Sequence, residues 1–495
     1  MKTVQEIIDE SALANGPRVS ELVRIRPGGV DPLGLRQINF NLMDQLLPQL
    51  NNVARHIRPL TVMAWAWRCA WKSAETIGLD KVPASTLREM VDRIEVIFVW
   101  SQLLVHDSVD LPGSAYLKTR LPESSYRFAG EHWTQMQKER RYSTALSAAV
   151  NYGPSLFNLC FARRGAQRDE VRLHPLADAA LNSLDSLLGD QRNHSAFTKF
   201  GEVTVTQADL KLWGGLWDIE KITNAECEHI ATTLGGKEAP LERQHGIRLL
   251  KTAIERIGVR GDSAVRKAMC DCGAAHDNSQ LQESTAVWRG IQARQLFRLT
   301  LESLLYWATV EVSDRPSTVE RMASRFLEGT PSEHTVEAWL AIPADPDAVD
   351  IIEPILELEK LLRGRVDANS LPSVIYQGLR AALACKAIDS NERQDRLPLE
   401  RAQTEAKSFA DKSPAQFMEY ILSAWAIGQH VYWSVGRGIG DARRGQDRIL
   451  RLKIVPDEAG LRIVPGANNS APRTTPDRLS TAITLLQEAG ELQMS

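Results

Sequence analysis

His106-Asp107, in the run Leu-Leu-Val-His-Asp-Ser-Val-Asp, is the residue pair with the most direct route to catalysis. An imidazole and a carboxylate together can hold a divalent cation while leaving a position for water, the chemistry of metal-assisted phosphate-ester hydrolysis. Such a shell needs an upstream histidine and a downstream acid, and His56 and Asp185 stand in those places. The simpler reading of the doublet is a polar helix C-terminus, where the dipole favours a histidine. Cys270-Asp271-Cys272 with His276 is a second ligand set, with Cys227 and His229 as remote completions. Structural zinc usually has two or more residues between paired cysteines, so a polar loop holding two thiols is the simpler reading.

Other reactive signatures are missing from the sequence. It has no Gly-x-Ser-x-Gly elbow, no Walker-type phosphate loop and no His-Glu-x-x-His. Gly436-Arg437-Gly438-Ile439-Gly440 is rich in glycine, but it follows a helical run where a dinucleotide fold requires a strand. It predicts a helix-ending turn.

Two basic groups carry more chemistry. The first is Arg437, Arg443, Arg444, Arg448, Arg451 and Lys453, interrupted by the acids Asp441 and Asp447. The second is Lys138, Arg140, Arg141, Arg163, Arg164 and Arg168, with Trp133 and Tyr142 nearby. Guanidinium groups donate to phosphate in a planar fork, and aromatic rings stack on exposed bases. Both groups are therefore candidate nucleic-acid contacts; a solvated face or an acidic protein partner would use the same residues.

Helices must position these side chains. Leu35, Ile38, Leu42, Met43, Leu46 and Leu47 form one apolar stripe, stopped by Pro48 and the Asn51-Asn52 pair. A Trp-rich helix follows with Met63, Trp65, Trp67 and Trp71, and Leu87 to Val105 is a third. Asn151-Tyr152-Gly153-Pro154 marks a turn. Glu202 to Thr206 alternates like a short strand, Thr204 and Thr206 precede a helix-like run through Leu216, and Thr223 with Glu226 reads as a capped helix start. Ala286 to Val310 predicts a long, broadly buried helix, and Ile449 to Val464 a small hairpin about Asp457-Glu458-Ala459-Gly460. Trp65, Trp67, Trp71, Trp100, Trp288, Trp307, Trp425 and Trp433 all fall in apolar-periodic runs, which predicts core packing with each indole N–H paired.

The bulk composition narrows the class. A chain of 495 residues exceeds one ordinary core, and 43% apolar with 24% charged residues is a globular balance. The net charge of −3 implies no global attraction to nucleic acid or membrane, so any basic surface is local. Cys69, Cys160, Cys227, Cys270, Cys272 and Cys385 are mostly scattered, which suits reduced thiols. The acidic opening residues do not resemble a secretory signal, and Leu60 to Trp67 is too short to span a bilayer. A cytoplasmic protein with no membrane association is expected.

At Asp31 to Lys72, at Asn151-Tyr152-Gly153-Pro154-Ser155-Leu156 and at Trp288 to Trp307, the chain resembles large helical bacterial proteins encoded among antiviral-defence and mobile-element genes. The shared pieces are the Leu-Gly-Leu opening, the Trp-rich helix and the Tyr-Gly-Pro-Ser turn. The resemblance brings no catalytic residues and no cofactor. It implies a partner protein, such as a nuclease or helicase, and DNA.

The expected fold is mainly α, an irregular multi-helix, multi-domain assembly with a small β-hairpin near the C-terminus. The expected divisions are an N-terminal helical unit over 1–168, a middle unit over 169–312, a Pro/Asp-rich linker over 313–350 and a C-terminal unit over 351–495. The leading functional reading is a non-catalytic, nucleic-acid-associated and partner-docking subunit of a bacterial antiviral-defence complex. It uses Arg437, Arg443, Arg444, Arg448, Arg451, Lys453, Arg140, Arg141, Arg163 and Arg164. The alternatives are a metal-dependent HD-type phosphohydrolase using His56, His106 and Asp107, and a pure protein-interaction scaffold.

Overall fold

The Pro-Leu-Gly turn after Asp31 sets the first helix by two local devices. Asp31 Oδ1 accepts the backbone N–H of Leu35 at 3.1 Å. Gly34 has φ +74°, and a Cβ there would lie 2.3 Å from the Trp433 ring, so only glycine fits. This computed structural model describes residues 24–25, 31–78, 82–141, 152–165, 170–258, 261–273, 278–364, 369–389, 393–443, 449–466 and 470–492.

The described chain is mainly helical, with small two-stranded sheets. It forms two compact units: residues 38–292 with 475–495, the larger, and residues 1–37 with 293–474, the smaller. This corrects the serial division 1–168, 169–312 and 351–495. Each unit is assembled from segments far apart in sequence, a pairing that local composition does not encode.

Helix α1 (Arg36–Met43) stops before Leu46 and Leu47, although both remain buried. Asp44 Oδ1 accepts the Gln49 N–H at 3.2 Å, and Asn51 Oδ1 accepts the Val53 N–H at 2.9 Å, so local side chains take over from the helix ladder. In the larger unit, α2 (Ile57–Ile77) packs along α3 (Ala84–Leu103). Strand β1 (Ser125–Arg127), α4 (Gly130–Arg141) and the short α5 (Gly153–Asn158) follow. Pro154 lies in the first turn of α5, where its missing N–H costs nothing, so the Tyr-Gly-Pro turn starts a helix.

Strands β2 (Ala162–Arg164) and β3 (Val171–Leu173) pair antiparallel, with Arg163 opposite Arg172. After α6 (Asp178–Leu188), β4 (Thr204–Thr206) pairs with β1, so the strand expected at 202–206 is present over its last three residues. Helices α7 (Gln207–Leu216) and α8 (Asn224–Ile230) open with capping boxes, Thr206 with Asp209 and Thr223 with Glu226, the second as the sequence predicts. Then come α9 (Leu241–Ile257) and α10 (Asp262–Asp271).

Aromatic rings fill this core edge to face. Trp65 meets Phe197 at 5.2 Å between centroids, and Trp217 meets Phe98 at 5.6 Å. Their indole N–H groups donate to Asp185 at 2.7 Å and to Ser101 at 2.8 Å.

Helix α11 (Ser279–Glu311) is the long buried helix expected at 286–310. In the smaller unit its Leu296, Phe297, Leu304 and Trp307 pack with apolar side chains of α12 (Val319–Leu327), α13 (Val336–Leu340), α14 (Ile352–Arg363) and α15 (Leu371–Ala384). Among the described residues the Trp307 N–H has no partner, an exception to the pairing expected of buried indoles. Residues 313–350 are not a linker, because Phe326 and Trp339 are core residues at 0% and 1% exposure. Thr318 and Thr335 cap α12 and α13, and Asp345 caps a 3-10 turn, so the polar composition marks helix starts.

Helices α16 (Leu399–Ser408), α17 (Pro414–Tyr420) and α18 (Gln429–Arg443) complete this unit, with a π-helical stretch Ile421–Gly428 leading into α18. Gly436 to Gly440 lies inside α18, which corrects the expected helix-ending turn. Glycine costs a helix only about 1 kcal/mol per residue, and Trp425 with Ile427 anchors the turn before α18 in the core.

The expected hairpin is present as β5 (Ile454–Asp457) and β6 (Gly460–Ile463), turning at Glu458-Ala459. Ser317 adds a bridge to Leu461, with hydrogen bonds of 3.0 and 2.8 Å. The chain then returns to the larger unit as α19 (Leu479–Glu488).

Candidate nucleic-acid interface

Among the described residues, the basic candidates Arg163 and Arg164 are exposed on the β2–β3 hairpin. Phe161, fully buried, anchors its start and donates its N–H to Leu156 O at 2.9 Å. Trp71, on α2, fixes the second strand from beside it: its indole donates to Val171 O at 2.7 Å. The Arg172 guanidinium lies 3.8 Å from the centre of the Trp71 ring, and its Nε is 2.6 Å from Glu170 Oε1. Arg163 and Arg164 are both exposed, and neither has an acid partner among the described residues. The Arg164 guanidinium carbon is 5.7 Å from the centre of the half-buried Phe157 ring.

Like charges placed directly opposite across a sheet destabilise it. Arg163 faces Arg172 across the pair. Glu170 and Trp71 compensate Arg172, while Arg163 is left with its charge toward solvent. Arg163 and Arg164, with Arg172 opposite Arg163, give this small hairpin guanidinium groups that can hold phosphate oxygens. Sequence reasoning found Arg163 and Arg164 but missed Arg172 and Phe157, which only the hairpin register and α5 bring near them.

The other candidate contacts fare differently. Arg140 is 3% exposed and ion-paired with Glu95, itself 1% exposed, so it is a buried strut and is removed from the interface. Arg141 is the last residue of α4. Lys453 is 6% exposed, and burial pushes its ammonium below the usual lysine range; it too is removed. Arg437 and Arg451 are half-buried in the smaller unit, and Arg451 O accepts from Ser434 at 3.1 Å. Arg443 ends α18. Arg444, Arg448 and Arg168 lie outside the described residues. On α18, Val431, Tyr432 and Val435 are 36%, 56% and 37% exposed, an apolar strip one turn before Arg437.

The histidines are engaged in pairs. His106 Nε2 is 2.8 Å from Asp218 Oδ1, and Asp107 is exposed beside it. Burial alone would raise the Asp218 pKa, but the Glu220 N–H, Lys221 and His106 together hold it below the ordinary value. His56 Nδ1 is 2.5 Å from Glu488 Oε1, and its Nε2 is 3.7 Å from Asp110. Burial opposes the charged ring, yet the two carboxylates outweigh it and raise the His56 pKa. Asp185 is taken by Arg68 at 2.7 Å and by Trp65. Among the described residues, no three His, Cys, Asp or Glu side chains are arranged to hold a metal ion.

The cysteine set is likewise dispersed. Cys270 and Cys272 are 5% and 0% exposed at the end of α10, and His276 lies outside the described residues. Cys227 donates to Glu488 O at 3.3 Å, and the two His229 nitrogens face Leu176 O and Leu159 O at 3.1 and 2.8 Å.

What the sequence hid most completely is the number of arginines used inside the protein. Arg58 and Glu226 form an ion pair at 2.9 Å with neither side chain exposed. Arg243, also fully buried, spreads its guanidinium over Leu234 O at 2.9 Å, Pro48 O at 3.3 Å, Asn158 O at 3.0 Å and Thr233 O at 2.7 Å. Thr233 and Leu234 lie in a π-helical turn, Ala231–Gly235, whose last carbonyls need donors from outside the ladder. A faint signal existed: Arg58, Arg68 and Arg243 stand within apolar-periodic helices, where a surface role does not fit the pattern.

No protein-family model, no curated protein and no solved structure matches this chain.

Proposed function

We propose that the protein is a non-catalytic subunit that binds nucleic-acid phosphates in the larger unit and docks a partner protein. The observation that carries this reading is the Arg163–Arg164 pair. Both are exposed and without an acid partner among the described residues, and Arg172 stands opposite Arg163. A fold gains nothing locally from crowding like charges on a three-residue strand pair. An external polyanion gives that crowding a purpose. The resemblance of residues 31–72 to helical proteins of antiviral defence supplies the setting, a bacterial defence complex with DNA and a nuclease- or helicase-like partner. The exposed Val431, Tyr432 and Val435 on α18 support the docking half of the reading.

Fluorescence anisotropy with labelled DNA across a salt series tests it. The double variant Arg163→Glu, Arg164→Glu is expected to weaken binding and to lower the slope of log affinity against log salt by about 1.5 to 2. An unchanged slope removes the hairpin from consideration. Native pull-down of the tagged protein, with and without nuclease, tests the partner: a helicase or nuclease retained after nuclease treatment supports docking, and loss of every partner overturns it.

A further inference from the structure

We infer that His56 is a proton-operated latch: with both ring nitrogens protonated it holds the end of α19 on the N-terminus of α2, and with one proton lost it lets that end go. The latch lies wholly within the larger unit and does not depend on nucleic-acid binding.

The contact begins as a capping problem. The first turn of α2 contains no acidic side chain, and His56, its N-cap, makes no side-chain cap bond. The first N–H groups of α2 therefore need an acceptor from elsewhere. The last helix supplies one: Glu488 Oε2 accepts the Ile57 N–H at 2.7 Å, across 431 residues of sequence. The other oxygen of the same carboxylate, Oε1, lies 2.5 Å from His56 Nδ1. One carboxylate of α19 thus caps α2 and pairs with the ring beside the cap.

A second carboxylate makes the contact depend on a proton. His56 Nε2 is 3.7 Å from Asp110 Oδ2, in the segment after α3. A neutral imidazole carries one N–H, so whichever nitrogen keeps it, the other turns a lone pair toward a carboxylate. The cation donates from both. On the ring's own side, Arg55 shares Asp110 at 3.7 Å, and Arg58 is turned to Glu226 at 2.9 Å. From α8, Cys227 donates to Glu488 O at 3.3 Å, and from α9, Lys251 pairs with Glu491. Burial, with Glu226 and Glu488, raises the Cys227 pKa, so this thiol keeps its proton where His56 titrates.

Burial disfavours the charged His56 ring, but Glu488 and then Asp110 outweigh it and raise its pKa above the ordinary histidine value. A raised folded value binds the proton more tightly folded than unfolded. The latch is therefore closed below about pH 6.5 and opens as pH rises through the folded value. Leu479, Ala482, Leu485 and Leu486 are buried, so the body of α19 stays docked and opening is confined to its last turn.

Hydrogen exchange read by mass spectrometry on the full-length protein tests it, at about pH 6 and about pH 8.5, each corrected for the intrinsic exchange rate. Protection over residues 485–491 is expected to fall about five-fold at the higher pH, the size of effect a helix cap has. Helix α6, in the same unit, is expected to keep its protection. His56→Gln has no proton to lose and is expected to show the low protection at both pH values. Glu488→Gln replaces it if circular dichroism shows the first variant to be unfolded, and it too is expected to lose the pH dependence. Unchanged wild-type protection between the two pH values, a fall shared equally by α6, or a folded variant with the wild-type pH dependence overturns the inference.

Discussion

Lys453 donates its backbone N–H to His430 Nε2 at 2.9 Å, while His430 Nδ1–H donates to Pro32 O at 2.8 Å. One neutral imidazole thus ties the segment before α1 to the strand that begins the C-terminal hairpin, within the smaller unit. Both bonds need the Nδ1–H tautomer, since Nε2 must accept. His430 is fully buried and Lys453 lies close, so burial first and the nearby ammonium second lower its pKa to about 4.

That depression fixes the sign of a pH effect. A histidine whose folded pKa lies below its unfolded value binds fewer protons folded than unfolded, so its contribution is present above about pH 6.5 and is lost as pH falls toward 4. The loss amounts to about 3 kcal/mol. Chemical denaturation of the wild type and of His430→Gln across this range checks it. The variant is expected to lack that part of the acid slope, and identical slopes would remove His430 as its source.

Arg140 and Arg163 stand near each other in the sequence's basic group but are expected to fail in opposite ways. Arg140→Ala removes the guanidinium paired with the buried Glu95 carboxylate and is expected to cost about 3 kcal/mol of stability. DNA affinity per folded molecule should not change. Arg163→Ala, at an exposed site, is expected to stay within about 0.5 kcal/mol in stability and to weaken DNA binding. Urea denaturation and anisotropy on both variants decide it, and the reverse pattern would restore Arg140 to the interface.

Among the described residues Arg243 has no carboxylate partner to neutralise it, yet it serves four carbonyl oxygens. Burial lowers its pKa to about 10, which leaves it charged at neutral pH. Arg243→Lys replaces a planar fork by a point donor and cannot reach all four. It is expected to destabilise the larger unit by about 3 kcal/mol, read from the shift in the urea midpoint. A loss below about 1 kcal/mol would mean that water replaces the fork.

The phosphohydrolase alternative makes its own demand. It requires stoichiometric transition metal that disappears in His106→Ala. Because His106 is paired with Asp218 and His56 with Glu488, elemental analysis is expected to show no stoichiometric metal in the wild type. Metal that is present and lost in His106→Ala would move this alternative ahead of the binding reading.

Much of the architecture was legible because it is local. Apolar spacing gave α2, α3 and α11, Thr223 with Glu226 three residues on gave a capped helix start, and the turn residues Asp457-Glu458-Ala459-Gly460 gave the hairpin, while the Thr206–Asp209 cap emerged only in the structure. The stretch 313–350 misled for the same reason: threonine, aspartate and proline at helix starts have the composition of a linker.

What sequence could not decide is where a charge ends up. Arg140, Arg163 and Lys453 have the same kind of local signal, yet one is a buried strut, one is exposed and one is a buried ammonium. Burial depends on which distant segment arrives opposite, Glu95 for Arg140 and, among the described residues, nothing acidic for Arg163. The two units are decided in the same way, since residues 1–37 join 293–474 and residues 475–495 return to 38–292. Periodicity sets which face of each helix is apolar; only the packed fold sets which face it meets, and so which arginines remain free to bind a partner.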